Sequence, residues 1–110
     1  MDVEFINKRV KKECSSEKAM KGRWGPMTAK KLKRRLADIE AAKTLADMRH
    51  LPGRCHELVA DRAGQLAVDL DHPRRLIFKP NHHPVPIRAA GGLDWAGVTG
   101  IVVLEITDYH

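Results

Sequence analysis

Arg54-Cys55-His56-Glu57-Leu58-Val59-Ala60-Asp61-Arg62-Ala63-Gly64-Gln65-Leu66-Ala67-Val68-Asp69-Leu70-Asp71-His72-Pro73-Arg74-Arg75-Leu76-Ile77-Phe78-Lys79 reads as three strands separated by two tight turns. Strands are predicted over residues 54–59, 65–70 and 75–79, each a short run bounded by turn residues. Asp61-Arg62-Ala63-Gly64 supplies one turn, with a glycine able to take positive φ, and Asp71-His72-Pro73 supplies the other. Connections this short join strands that run in opposite directions, so the stretch is an antiparallel meander.

Working outward, residues 81–99 contain proline-flanked and glycine-rich breaks and read as a loop, with one helical turn around Trp95. Residues 100–108, rich in Ile and Val, form a closing core strand. On the other side of the meander the period changes. Val3-Glu4-Phe5-Ile6 is a short strand. Ser16 suits the cap of a helix over residues 17–23, because its hydroxyl accepts a bond from a free backbone N–H. Gly25-Pro26 breaks that helix and starts another, since proline fits the first helical position. Leu32, Leu36 and Ile39 then recur at helical spacing as far as about Ala42, with Lys30, Lys31, Lys33, Arg34 and Arg35 over the remaining surface. A short helical turn over residues 44–48 follows, and Leu51-Pro52-Gly53 ends the helical half. The expected architecture is α+β: one domain over residues 1–110, with N-terminal helices packed in two layers on a twisted, mainly antiparallel sheet.

Composition bounds the function. A chain of 110 residues, 43% apolar and 31% charged, builds a modest core and a shallow groove rather than a deep enclosed pocket. No apolar run is long enough to span a bilayer, and the first residues lack the basic-then-apolar layout of a signal peptide. Two lone cysteines, Cys14 and Cys55, fit a cytoplasmic protein with reduced thiols. Net charge is +6, and residues 1–40 carry twelve Lys and Arg against six Asp and Glu, so the whole excess lies there. A one-sided basic surface suits a polyanion such as nucleic acid, or equally a solvated lysine-rich helix face.

The chemistry-bearing residues lie on the predicted strands. His56 shares a face with Arg54 and Leu58; Arg75 and Lys79 share one with Ile77. Alternation puts Asp108 and His110 on one face of the closing strand and Tyr109 on the other. If those faces coincide, imidazoles, a carboxylate and cations gather on one patch. That inventory fits metal-free RNA cleavage, in which a 2′-hydroxyl attacks its neighbouring phosphate. A base removes the hydroxyl proton, an acid protects the leaving oxygen and cations neutralise the phosphate. His serves in either proton role, and Arg suits bidentate phosphate contact. Each residue also has a plainer reading: His56 as a structural histidine, Arg75 as a turn-flanking charge, Tyr109 as a half-buried anchor, and His72, His82 and His83 as solvent-facing loop residues. The six His and two Cys lack the paired spacing of a zinc site, so no metal or cofactor is expected.

Taken in order, Arg54-Cys55-His56-Glu57-Leu58, Asp61-Arg62-Ala63-Gly64-Gln65-Leu66-Ala67-Val68, Arg75-Leu76-Ile77-Phe78, Gly91-Gly92-Leu93-Asp94-Trp95 and Ile106-Thr107-Asp108-Tyr109-His110 resemble a HigB-type toxin of the RelE/ParE superfamily. The resemblance implies the RelE-like two-layer fold and an mRNA endonuclease acting on translating ribosomes in the cytoplasm. It implies His56, Arg75, Asp108, Tyr109 and His110 as active positions, with Asp108 or His110 as base, His56 or Tyr109 as acid and Arg75 as phosphate clamp. Lys79 becomes a phosphate contact, and Arg54, Lys30, Lys33 and Arg34 become further RNA-binding cations. The implied partners are the ribosome, its mRNA and a cognate helix-turn-helix antitoxin, through which alone operator DNA is met; no membrane is involved. Two other functions stand beside this one: a ParE-like DNA gyrase inhibitor, and a non-catalytic basic RNA- or ribosome-binding domain.

Overall fold

The computed structural model describes residues 1–108 and joins five strands in one sheet. These are β1 (Asp2–Phe5), β2 (His56–Glu57), β3 (Leu66–Asp69), β4 (Arg74–Pro80) and β5 (Gly100–Asp108). Their spatial order is β1-β5-β4-β3-β2. The predicted meander is present, with β2, β3, β4 and β5 successively antiparallel. The N-terminal strand pairs with β5 in parallel, a partner that local sequence could not name.

Three helices precede the meander: α1 (Lys8–Glu13), α2 (Glu17–Trp24) and α3 (Pro26–Ala41). Ser16 caps α2 as expected, its hydroxyl accepting from the N–H of Ala19 at 3.1 Å. The first helix is not among the predicted elements, although its signal is present: Asn7 Oδ1 accepts from the N–H of Val10 at 2.9 Å. Its six residues bury only Val10, too little for a periodic pattern. In α3, Leu32, Leu36 and Ile39 are buried as the spacing demanded, together with Thr28, Ala29 and Arg35. They pack with Leu66, Val68, Leu76, Phe78, Ile101 and Val103 into a core between helices and sheet. Burying a Leu or Phe side chain of this kind is worth about 1.5–3 kcal/mol. Short 3₁₀ turns at Leu45–His50 and Trp95–Gly97 occupy the two places where a helical turn is expected. No helix among the described residues is long and apolar enough to cross a membrane.

The first strand of the meander is shorter than predicted. Only His56 and Glu57 pair with β3. Arg54 (φ 48°) and Ala60 (φ 58°) both take the left-handed region, and a 3₁₀ turn follows at Ala60–Arg62. A left-handed residue cannot extend a ladder, so the pairing stops at both sides.

Two further details set the open face of the sheet. Along β4, Ile77 pairs with Glu105 but Phe78 pairs with Val103, so the register skips Leu104. This bulge reverses the inside–outside alternation of β5 at its midpoint. Where the chain enters the meander, Gly53 has φ 109° and lies so close to Arg35 that an added Cβ would sit 2.6 Å from its Nε. That nitrogen donates to the Asp69 carbonyl at 2.9 Å. Gly53→Ala therefore meets both backbone strain and a clash with the Arg35 guanidinium. It is expected to lower stability by about 1–3 kcal/mol, read as a reduced urea midpoint at unchanged slope.

Candidate functional site

With the core residues pointing to the helices, cross-strand register assembles the opposite face. His56, Ala67, Ile77 and Glu105 form one row; Asp69, Arg75 and Thr107 form the next. Arg75 occupies the centre and is only 7% exposed. It lines two adjoining depressions. One, of about 250 Å³, is shared with Arg54, Asp69, Leu70, His72, Pro73 and Arg74. The other, of about 320 Å³, is shared with Leu58, Val59, Asp61, Arg62, Ile77, Thr107 and Asp108.

Every acidic side chain facing this surface from β3 and β5 is held by an arginine. Arg54 reaches Asp69 with Nε at 2.7 Å and Nη2 at 3.4 Å. Arg62 spans from the β2–β3 connection to Glu105 at 3.1 Å, steadied by Gln65 at 2.8 Å. Arg74 Nε lies 3.5 Å from Asp108. Solvent-exposed ion pairs of this kind are worth only about 0–1 kcal/mol each, so an incoming phosphate competes with the carboxylates at little cost. A guanidinium offers phosphate two parallel donors, and those of Arg54, Arg62 and Arg75 lie on this face.

His56 is oriented by the strained residue before Cys55. Its Nδ1 is 2.6 Å from the Arg54 carbonyl. A carbonyl only accepts, so Nδ1 carries the proton, and in the neutral ring Nε2 is left as an acceptor. The left-handed turn at Arg54 thus does two things: it aims the guanidinium at Asp69 and the carbonyl at His56.

The predicted site residues divide into groups. Arg54 and Arg75 meet in the first depression, and Arg75 and Asp108 in the second. His56 shares the face but lines neither; sheet spacing puts its Cα about 12 Å from that of Arg75. Lys79 lies on the same face, exposed, four residues along β4 and so about 13 Å away. Whether Asp108 shares the face of His56 is left open by the sequence, and the register bears on it. Because of the bulge, Asp108 pairs with Arg74, whose Nη1 donates under the sheet to the Trp24 carbonyl and to Thr28 Oγ1, both at 2.7 Å. Asp108 therefore straddles the strand end, lining the Arg75 depression and also a helix-side pocket with Arg23, Trp24 and Arg74. Tyr109 and His110 lie outside the described residues. Lys30, Lys33 and Arg34 project from the outer side of α3, across the core from Arg75, and do not join this surface.

Three contributors are not evident from the sequence alone. Arg62 sits in a predicted turn, Arg74 reads only as a neighbour of Arg75, and His72 reads as a solvent-facing loop residue. His72 is indeed exposed, yet it walls the first depression. Consecutive Arg74 and Arg75 on a strand carry the usable signal, since alternation must send one to each face.

The thiols stand apart from this chemistry. Burial pushes Cys14 up to about 11, helped by the charge of Glu13, and Cys55 up to about 12, against a small opposing effect of Arg49. Neither forms much thiolate near neutrality. Among the described residues no three His, Cys, Asp or Glu side chains gather as a metal-ligand set.

No family model and no curated protein matches the chain. Solved structures that share its fold include the following two. A YoeB-YefM complex from Staphylococcus aureus superposes with TM-score 0.58 at 13% identity, covering 100% of this chain and 97% of that one. A YoeB/ParE toxin from Agrobacterium tumefaciens gives 0.58 at 11% identity, with 100% of each chain covered. At such identities the likeness establishes the α+β architecture and leaves function to the residues.

The raised thiols have a stability consequence with a definite sign. Above the ordinary thiol value of 9.0, unfolded cysteines ionise while the folded ones stay protonated to about 11 and 12. Their contribution is complete below pH 9 and declines as pH climbs toward those folded values. Urea unfolding at pH 8 and pH 10.5 should show a steeper loss for the wild type than for a Cys14→Ala/Cys55→Ala chain.

Proposed function

We propose that this chain is the toxin of a type II toxin–antitoxin pair, of HigB type within the RelE/ParE superfamily. In this reading it is an endoribonuclease that cuts mRNA on the ribosome. The observation that carries it is the near-buried Arg75, set between two shallow depressions that it shares with Arg54 on one side and Arg62 on the other. Such a cradle neutralises a phosphate as charge grows on its oxygens. An open groove, unlike a closed pocket, admits a continuous polynucleotide.

The chemistry follows from the groups present. Arg75 grips the scissile phosphate. His56, with Nε2 open, is assigned to remove the 2′-hydroxyl proton; the oxygen then attacks the adjacent phosphorus and expels the 5′-oxygen of the next nucleotide. With His56 moved from the acid role that the sequence resemblance implies for it to that of base, protonation of the leaving oxygen is assigned to Tyr109, the other acid the resemblance implies. Asp108, held by Arg74, helps to set the end of β5. His72 on the wall of the first depression is a second imidazole within the same cation cluster. A protein partner is part of the proposal, and one structural neighbour is itself a complex, of YoeB with YefM.

A gyrase-directed toxin is the second reading, favoured by the likeness to the other neighbour, a YoeB/ParE toxin. The two readings separate on what breaks in the cell. After brief expression, mapping mRNA 5′ ends should reveal new cuts inside translated regions with DNA intact. Broken DNA with intact mRNA would overturn the nuclease reading. Arg75→Ala should abolish cutting, and His56→Ala should reduce it by ~10²–10⁴-fold, the usual range for a lost acid–base group. Circular dichroism on each variant checks that the fold survives.

A further inference from the structure

The strand that carries His56 is the shortest in the sheet. It consists of His56 and Glu57 alone and lies at the edge, with β3 as its one neighbour. Left-handed residues stop the ladder on both sides, at Arg54 and Ala60. Two residue pairs hold an edge strand weakly. A contact from the opposite face of the sheet supplies a further restraint.

Glu57 pairs with the core residue Leu66, so its side chain turns to the helical side. There its Oε2 accepts the indole N–H of Trp95 at 3.1 Å. Trp95 is a firm anchor. It is 6% exposed, belongs to the core and opens the 3₁₀ turn Trp95–Gly97. From the turn Leu45–His50, Arg49 stacks on the same ring, its guanidinium carbon 3.9 Å from the centroid. Cys55 and Leu93 pack against this part of the core. One indole therefore joins the Leu45–His50 turn, β2 and the long connection over residues 81–99. The stretch Gly91-Gly92-Leu93-Asp94-Trp95 has no place in the phosphate cradle, and this junction gives it one beneath His56.

We propose that Glu57 and Trp95 are positioning residues for His56. Their bond fixes β2 from the core side, and so holds the imidazole where Nδ1 donates to the Arg54 carbonyl and Nε2 stays open. Neighbouring residues of a strand move as one backbone unit with side chains on opposite faces. Releasing the carboxylate lets a two-residue strand tilt and carries the imidazole with it. Arg75 stands on β4 and does not follow, so the phosphate stays while the base shifts. A misplacement of about 1 Å costs up to ~10²-fold in rate. The effect on rate rests on the nuclease reading; the effect on the imidazole does not.

Two measurements on the full chain test it. The first is ¹⁵N NMR of the His56 ring, identified by its loss in His56→Gln. The wild type should hold its proton on Nδ1. Glu57→Ala and Trp95→Phe should populate the other tautomer, and Glu57→Gln, which keeps an acceptor oxygen, should restore the wild-type pattern. Glu57 is exposed, so its variants keep the fold even if the substitution of buried Trp95 does not. The second is mRNA cleavage on programmed ribosomes. Glu57→Ala and Trp95→Phe should each lower kcat by ~10–10²-fold at unchanged KM, and Glu57→Gln should stay close to wild type. The double variant should fall no further than the worse single, because both remove one bond. An unchanged His56 tautomer in Glu57→Ala, or losses that add in the double variant, would overturn the proposal. A wild type that cuts no mRNA would instead end the nuclease reading, and the His56 resonances alone would then decide the positioning.

Discussion

The pairing of β4 with β5 is the constraint from which the functional surface follows. It is the longest ladder of the sheet, seven residues of β4 paired with seven of β5, and it carries both consecutive arginines. A β-strand must send neighbouring side chains to opposite faces. Arg74 therefore goes under, where the Trp24 carbonyl and Thr28 fix the helical layer to the strand end. Arg75 goes over, into the middle of the open face. One dipeptide thus joins the scaffold to the site, and moving the register by a single residue would exchange the two roles.

The bulge at Leu104 tunes the same ladder. Upstream of it, Ile101 and Val103 face the core; downstream, Ile106 does. A spacing of three rather than two between Val103 and Ile106 is visible in the sequence, and it is the mark of an extra residue. Strict alternation from Ile101 would have placed Glu105 and Thr107 inward. The skipped residue instead turns them to the open face, where Glu105 holds Arg62 and Thr107 borders the Arg75 depression. It also sends Asp108 toward Arg74.

That ladder explains what could be read in advance. The meander, the α3 helix and the β5 bounds were legible because each follows from a local period and a local break. The parallel partnership of β1 was not, since nothing near Val3 names Ile101 as its neighbour. Nor was the shortness of β2. The positive φ of Arg54 accompanies an ion pair with Asp69, fifteen residues away and set only by the tertiary fold. For the site, residue types were legible and their grouping was not. Arg54 and Arg75 converge, whereas Lys30, Lys33 and Arg34 fall on the far side because burial of Leu32 and Ile39 dictates which way α3 turns its cations.

The two cationic surfaces are opposite but not isolated. Arg35 lines a groove on the outer side of α3 and donates to the Asp69 carbonyl. The Asp69 carboxylate holds Arg54, which walls the depression beside Arg75. Gly53 makes room for the first of these contacts, and Arg54 bends out of the strand to make the last. The chain of contact is continuous, and its weakest member is the exposed Arg54–Asp69 pair, which phosphate competes for on one side. Contact alone transmits nothing unless some member has two arrangements. Arg54 is held in one arrangement, with its guanidinium on Asp69 and its carbonyl on His56 Nδ1.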